Sequence, residues 1–428
     1  MIMYSLKSSL HRLLRWSERY TKTDMVYLAR GGFWSIAGQI VTTLTILGFA
    51  ILVAHYLPKE VYGQYKYIIA VVAILSSFSL TGIGTAVFQS AARGFDGALF
   101  EGFWLNVRWS ALIFLGAFAL AIYYFFQGNP TLAFGVLIGG SLSPFLASAN
   151  LASTFLSAKK DFARSSIYYD IIENLFAVGA LAVTILLTHN PLIIAIVYFV
   201  GNTLVTYWLY RRVIRIYKPD PAKTDPEMLT YGKHLSLMGI LNGIAGNIDQ
   251  ILLFHFVGPA QLAIYNFATA IPDQTKGPLK TLNTMLQANF ANRPTDEIHG
   301  GMRNKMFVLF VTSLAFVVLY IVFAPFIYHL LFPNYMEAVP YSQIYVLSLL
   351  AITVNPATSY LLAKKKIQEQ YINTFITVTF QIVLLAGGVI FFGLLGLIGA
   401  RALIRISGAF LTYILYKRAV RREPARAI

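Results

Sequence analysis

The feature that most limits what this chain can become is the apolar run long enough to cross a bilayer, about 20 residues, repeated from one end to the other. Twelve such stretches are expected. The first six are Phe33–Ala54, Gln64–Phe88, Trp104–Phe126, Thr131–Ser157, Ile167–Leu187 and Leu192–Tyr210. The second six are His234–Val257, Leu262–Asn289, Lys305–Tyr328, Tyr341–Ala363, Tyr371–Phe392 and Gly396–Tyr416. Composition agrees: 57% of the residues are hydrophobic and 12% charged, against about 45–50% and 25% in soluble domains. A soluble multidomain enzyme is excluded at this step.

Charge gives the orientation. The chain holds 34 Lys and Arg against 18 Asp and Glu. With both termini in the cytoplasm, only Lys59 and Lys66 lie at the outer side, and Lys276, Lys280, Arg401 and Arg405 fall deeper within spans. Every other basic residue then lies at an inner loop or tail, as the positive-inside rule requires. A miscounted span would invert all that follow it. In this setting the basic excess reads as loops facing anionic lipid, not nucleic acid. The expected divisions are a basic segment over 1–32, a six-helix bundle over 33–210, a Pro-containing linker over 211–232, a second bundle over 233–417 and a basic tail over 418–428. Leu6, Leu10, Leu13 and Leu14 make the first segment either an amphipathic surface helix or a disordered tail.

The eighth span is the most polar, and a repeat supports it. At an offset of 200, Ile51-Leu52 and His55-Tyr56-Leu57 meet Ile251-Leu252 and His255-Phe256-Val257; Tyr65, Tyr67 and Ala70 meet Tyr265, Phe267 and Ala270. Two halves of the same orientation form a parallel repeat, so the second span implies an eighth. The expected fold is therefore all-α and membrane-integral, two six-helix halves of the same orientation.

Several chemistries have no residues to carry them. There is no cysteine, hence no disulfide or thiolate site. No P-loop, no Gly-x-Ser-x-Gly elbow and no His-x-x-x-His pair occurs. The outer loops Gln127–Pro130 and Thr188–Pro191 are too short to house a catalytic domain. Neither an enzymatic activity nor a metal or organic cofactor is expected.

What remains is the set of ionisable residues inside the spans, costly in hydrocarbon unless they face a cavity or each other. Asp273, Lys276, Lys280, Asn283 and Gln287 recur at spacings of three and four, one face of a helix interrupted by Pro272 and Pro278. They line a substrate cavity or, in the plainer reading, Asp273 and Lys276 form an internal ion pair. Arg401 either snorkels to the outer surface or joins Arg405, one turn deeper. Asp249 pairs with a span-eight lysine, as a gate, or takes a coupling H⁺ or Na⁺. Ser35, Gly38, Thr42 and Thr45 form a milder stripe suited to helix packing. Asp170 and Glu173 are placed to pair with Lys160 or Arg164. The central charges sum to a basic cavity, which favours an anion such as phosphate.

The stretch 244–272, running through Asp249, Gly258-Pro259 and Tyr265 to Pro272, resembles the start of the second half in polysaccharide-unit flippases. These belong to the multidrug/oligosaccharidyl-lipid/polysaccharide exporter superfamily. Leu57-Pro58-Lys59-Glu60-Val61-Tyr62-Gly63-Gln64-Tyr65 resembles the matching first-half element, and Ala263 stands where the family usually has glycine. The resemblance implies two six-helix bundles facing each other around a central cavity, and ATP-independent flipping of an undecaprenyl-pyrophosphate-linked oligosaccharide across the cytoplasmic (inner) membrane, in synthesis of a surface polysaccharide such as O-antigen of lipopolysaccharide. It implies membrane lipids, a polysaccharide polymerase and chain-length proteins as partners, and it places the family's second-half carboxylate at Asp249. A cation-coupled multidrug antiporter of the same fold and a non-transporting assembly subunit are the alternatives.

Overall fold

The structure, a computed structural model, describes residues 25–275, 295–364 and 366–422, together with Asn283, Leu286 and Phe290. Every regular element among them is helical. In chain order these are α1 (Met25–Tyr56), α2 (Lys59–Ser76), α3 (Ile83–Ala92), α4 (Ala98–Phe126), α5 (Pro130–Ala158) and α6 (Phe162–Leu187). Then come α7 (Pro191–Tyr217), α8 (Met228–Phe256), α9 (Pro259–Asp273), α10 (Thr295–Leu331), α11 (Ala338–Ala363) and α12 (Ile367–Arg421). Eight helical stretches among the described residues are long and apolar enough to cross a membrane. Many large apolar side chains stay bare, among them Phe126, Leu187 and Phe391, each at least 78% exposed. In water such a surface would be a liability; facing lipid it costs nothing. The chain is a multi-pass membrane protein.

The helices depart from the expected spans in two places. The expected second span is broken between α2 and α3 by Ser77–Gly82, where Ser77 and Ser79 are buried. The expected linker is largely structured: α7 extends to Tyr217 and α8 begins at Met228. The expected final pair falls on the two arms of α12, whose 55 residues would reach about 80 Å if straight, at 1.5 Å per residue. A bilayer core is about 30 Å thick, and the chain turns back instead. Gly393 takes φ 58° and ψ −138°, and the backbones of Gly388 and Gly396 come into contact; a β-carbon on Gly396 would lie 2.1 Å from the Gly388 carbonyl oxygen. The basic segment over 1–24 lies outside the described residues.

The chain forms two compact units. The first comprises the N-terminal residues to Phe49 and Leu75–Ile240. Its core gathers Ile83, Val87, Leu99, Phe155, Leu156 and Leu209 from α3, α4, α5 and α7. The segment after α7 is pinned to this core by Asp225, which is 2% exposed. Its carboxylate accepts from Ser90 Oγ at 2.5 Å and pairs with Arg93, while the amide of Gly97 donates to the Lys223 carbonyl at 2.9 Å. Within this unit Thr42 Oγ1 donates to the Asp170 carbonyl at 3.0 Å, and a β-carbon on Gly38 would lie 2.7 Å from Asp170 Oδ2. The small-residue stripe of α1 therefore serves helix packing. Arg164 pairs with Asp161 at 2.8 Å, and Glu173 accepts from Thr206 Oγ1 at 2.8 Å. Neither Asp170 nor Glu173 makes a salt bridge with a described residue, so the sequence-based pairing with Lys160 or Arg164 is corrected. Asp170 and Glu173 sit on or beside a π-helical turn, Ser166–Ile172, that rotates them off the regular α register.

The second unit comprises Ala50–Ile74 and Leu241 onward. The segments that resemble each other at an offset of 200 both lie in it: α1 and α8 stop at Tyr56 and Phe256, and α2 and α9 start at Lys59 and Pro259. The copies touch. Phe267 packs against Tyr62 and stacks on Tyr335 at a centroid distance of 3.8 Å, and Tyr67 stacks on Phe254 at 3.8 Å. Tyr328, fully buried, donates its hydroxyl proton to the Phe267 carbonyl at 2.8 Å. Gly63 makes the crossing possible, since a β-carbon there would sit 1.9 Å from the Pro259 carbonyl oxygen. Because the obstacle is backbone, Gly63→Ala must push two helices apart. We expect it to cost about 1–3 kcal/mol or more, read as a lower melting temperature of the purified protein; an unchanged melting temperature would disprove this packing.

Candidate substrate cavity in the second unit

Four of the ionisable residues singled out from the sequence converge in the second unit. Asp249, on α8, is 1% exposed. Its Oδ2 lies 3.0 Å from Nη2 of Arg401 on α12 and accepts the hydroxyl proton of Tyr265 from α9. One turn further along α12, Arg405 Nη2 lies 3.4 Å from Oδ1 of Asp273, at the end of α9. Tyr345 of α11 donates to the same oxygen at 2.9 Å, and its ring lies under the guanidinium at 4.8 Å. Arg405 also donates to Ser348 Oγ at 3.0 Å. The i, i+4 spacing aims both arginines along one face of α12, and each meets a carboxylate there. Buried ions are tolerated only in such company.

These assignments settle part of the sequence reading. Arg401 does not snorkel outward; it is the counter-ion of Asp249. The partner found for Asp273 is Arg405. Lys276, Lys280 and Gln287 lie outside the described residues. Asn283 is described: its carbonyl accepts from Ser359 Oγ at 3.4 Å, and its own Oδ1 is buried with no partner among the described residues.

Beside the ion pairs a cavity of about 450 Å³ opens between α8 and the two arms of α12. Arg401 and Arg405 form part of its wall, with Asn242, Asn373, Thr374, Thr377, Gln381 and Thr412. Gln381 donates to the Ala245 carbonyl, and Thr412 Oγ1 donates to Asn373 Oδ1 at 3.4 Å. Gly246 leaves the wall open; a β-carbon there would meet nothing within 4 Å. Asn373, Thr377 and Gln381 recur every four residues, a polar stripe readable in the sequence though it carries no charge. No group of three or more His, Asp or Glu that could hold a metal exists among the described residues.

Comparison with known proteins places this geometry. A family model described as "Polysaccharide biosynthesis protein" matches residues 28–275. The chain belongs to that family. No curated protein matches the sequence. Among solved structures, the chain resembles an inward-facing multidrug resistance MATE family transporter of the MOP superfamily, with 14% identity, 89% of this chain and 95% of that one covered, and a TM-score of 0.70. It resembles the lipid II flippase MurJ in an inward closed conformation at 15% identity, covering 92% and 88%, TM-score 0.63. A MOP superfamily transporter from Pyrococcus furiosus, whose binding pocket is described as of reversed polarity, matches at 14% identity, covering 92% and 95%, TM-score 0.62. At these identities the likeness is one of fold.

The Asp249–Arg401 pair yields a test of its own. Arg401→Ala leaves a buried carboxylate uncompensated and should cost about 3–5 kcal/mol. Combining it with Asp249→Asn removes the stranded charge and should restore much of the loss. Thermal unfolding of the detergent-purified single and double variants measures the difference; equal destabilisation in both would show that the pair carries no coupling.

Proposed function

We propose that this protein flips a polyprenyl-pyrophosphate-linked oligosaccharide across the cytoplasmic membrane for surface polysaccharide synthesis, by alternating access without ATP. The observation that carries the reading is the union of a polysaccharide biosynthesis family with the fold of MOP superfamily transporters. The MurJ likeness supports a lipid-linked substrate by analogy. The polar cavity beside Arg401 and Arg405 supplies a place for hydrophilic cargo inside helices that otherwise face lipid. Because both arginines are met by carboxylates, the surplus positive charge for a pyrophosphate rests on Lys276 and Lys280, with Asn283 and Gln287 on the same face. Asp249 acts in this reading as the gate held by Arg401, and H⁺ or Na⁺ supplies the driving gradient. Both termini are cytoplasmic, and polymerase and chain-length proteins receive the product. No enzymatic step is involved.

A second reading, export of small organic molecules, is favoured by the TM-score of 0.70 to a multidrug transporter. Organic cations call for carboxylates open to the cavity, whereas Asp249 and Asp273 here hold guanidinium groups. Reconstituted vesicles separate the readings. The flippase should move a fluorescent undecaprenyl-pyrophosphate-linked saccharide between leaflets, and Lys276→Ala or Lys280→Ala should abolish that movement, with the Arg variants keeping part of it. Ion-driven uptake of ethidium with no lipid movement would overturn the flippase.

Orientation is checked separately on the cysteine-free chain. Asn190→Cys should react with an impermeant maleimide added outside intact cells, and Arg215→Cys only after permeabilisation; the reverse pattern would invert the topology.

A further inference from the structure

Among the described residues the charges beside the cavity pair off, and this bears on which part of a lipid-linked saccharide it can hold. Arg401 and Arg405 face Asp249 and Asp273 one to one. Each guanidinium is thus offset by a carboxylate, so among these residues neither an anion nor a cation meets an uncompensated charge. The rest of the polar wall is amide and hydroxyl: Asn242, Asn373, Thr374, Thr377, Gln381 and Thr412. Each amide offers donors and an acceptor, and each hydroxyl offers both. A surface that donates and accepts at every station, without net charge, is the complement of a sugar, whose hydroxyls do the same.

Spacing points the same way. Asn373, Thr377 and Gln381 stand about 6 Å apart along the helix, from four residues at 1.5 Å each, so their polar ends succeed one another on the scale of a sugar ring. The Nε–H of Arg401 is buried without an acceptor among the described residues. Buried donors are rarely left so, and Arg401 is one of the residues of the cavity wall. Asn242, Asn373, Thr374 and Thr377 are at least partly exposed, whereas Gln381, tied to the Ala245 carbonyl, is buried and holds its wall in place. Gly246 faces open space, so the cavity stays wide where a side chain would otherwise fill it.

We propose that this cavity is a glycan subsite: it seats an uncharged sugar of the cargo through amide and hydroxyl contacts, and the pyrophosphate binds elsewhere. The assignment rests on the flippase reading and adds to it a division of labour, in which sugar selection belongs to α8 and α12.

The test uses the full-length protein in lipid nanodiscs and measures binding of four probes. These are undecaprenyl pyrophosphate itself and the same lipid carrying a neutral hexose, an N-acetylhexosamine or a 6-deoxyhexose. Wild type should bind at least one sugar-bearing probe more tightly than the bare lipid. Asn373→Leu with Thr377→Val should weaken that probe about tenfold, the loss of one or two hydrogen bonds, and leave the bare lipid unchanged. Gly246→Leu fills the cavity while sparing every polar wall residue and should have the same selective effect, so the outcome does not hang on one variant folding. Equal affinity of wild type for all four probes would sink the glycan subsite and leave the flippase standing. So would a parallel loss of the bare lipid in both variants, since the pyrophosphate would then be the occupant. Failure of wild type to bind any of the four would remove the flippase reading, and the subsite with it.

Discussion

A carboxylate held by a guanidinium inside hydrocarbon is the interaction on which the second unit depends. Asp249 is 1% exposed on a helix flanked by apolar segments, where a lone charge would cost several kcal/mol. Arg401, reaching from α12, removes that cost, and the Tyr265 hydroxyl completes the shell. The pairing ties three elements together: α8 through Asp249, α9 through Tyr265 and Asp273, and α12 through Arg401 and Arg405. Apolar packing alone cannot fix register among helices in lipid, because lipid tails are as good a partner as leucine. Charge and hydrogen bonding can, since each wrong register strands a buried ion.

A second constraint, close approach of backbone, acts where the repeated elements meet. Gly63 admits the Pro259 carbonyl and lets α2 cross the start of α9, so that Tyr62, Phe267 and Tyr335 form one aromatic core. Gly388 and Gly396 do the same for the two arms of α12. The arms must come close for the polar stripe 373–381 on one and Arg401 and Arg405 on the other to share a cavity wall. The positive φ of Gly393 is thus part of how the site is made, for only a sharp reversal brings residues 20 to 30 positions apart face to face.

Much of this was legible from residue types, and the remainder fails for identifiable reasons. Apolar runs announced a multi-pass membrane protein, because the bilayer allows few other uses for them. The turn at Gly393 falls in the gap expected between Phe392 and Gly396. The depth of Asp249 was readable from its position in an apolar run, but its partner was not. Arg401 is far away in sequence, and only the tertiary fold chooses between it and a nearer lysine. The break at Ser77–Gly82 eluded a hydropathy argument because small hydroxyl residues lower hydropathy too little to end a span. The cavity wall was missed for a related reason: Asn373, Thr377 and Gln381 are neutral, and a search keyed to charge passes over them although their four-residue spacing is regular.

The two ion pairs are not equivalent, and the difference bears on how such a unit can work. Asp249 and Arg401 are 2% and 15% exposed at their side chains and 3.0 Å apart; Asp273 and Arg405 are 30% and 25% exposed and 3.4 Å apart. Separating buried partners leaves two ions without solvent, whereas water can take the place of a half-exposed partner, so the second pair opens at far lower cost. Arg405 has a further substitute at hand, since Ser348 and the Tyr345 ring still hold its guanidinium when the carboxylate leaves. For Arg401 no comparable reserve is found among the described residues, where its Nε lacks an acceptor. The deep pair is therefore the stiff part of the cavity wall, costly to part, and the shallow pair its adjustable end, where the wall yields to cargo first.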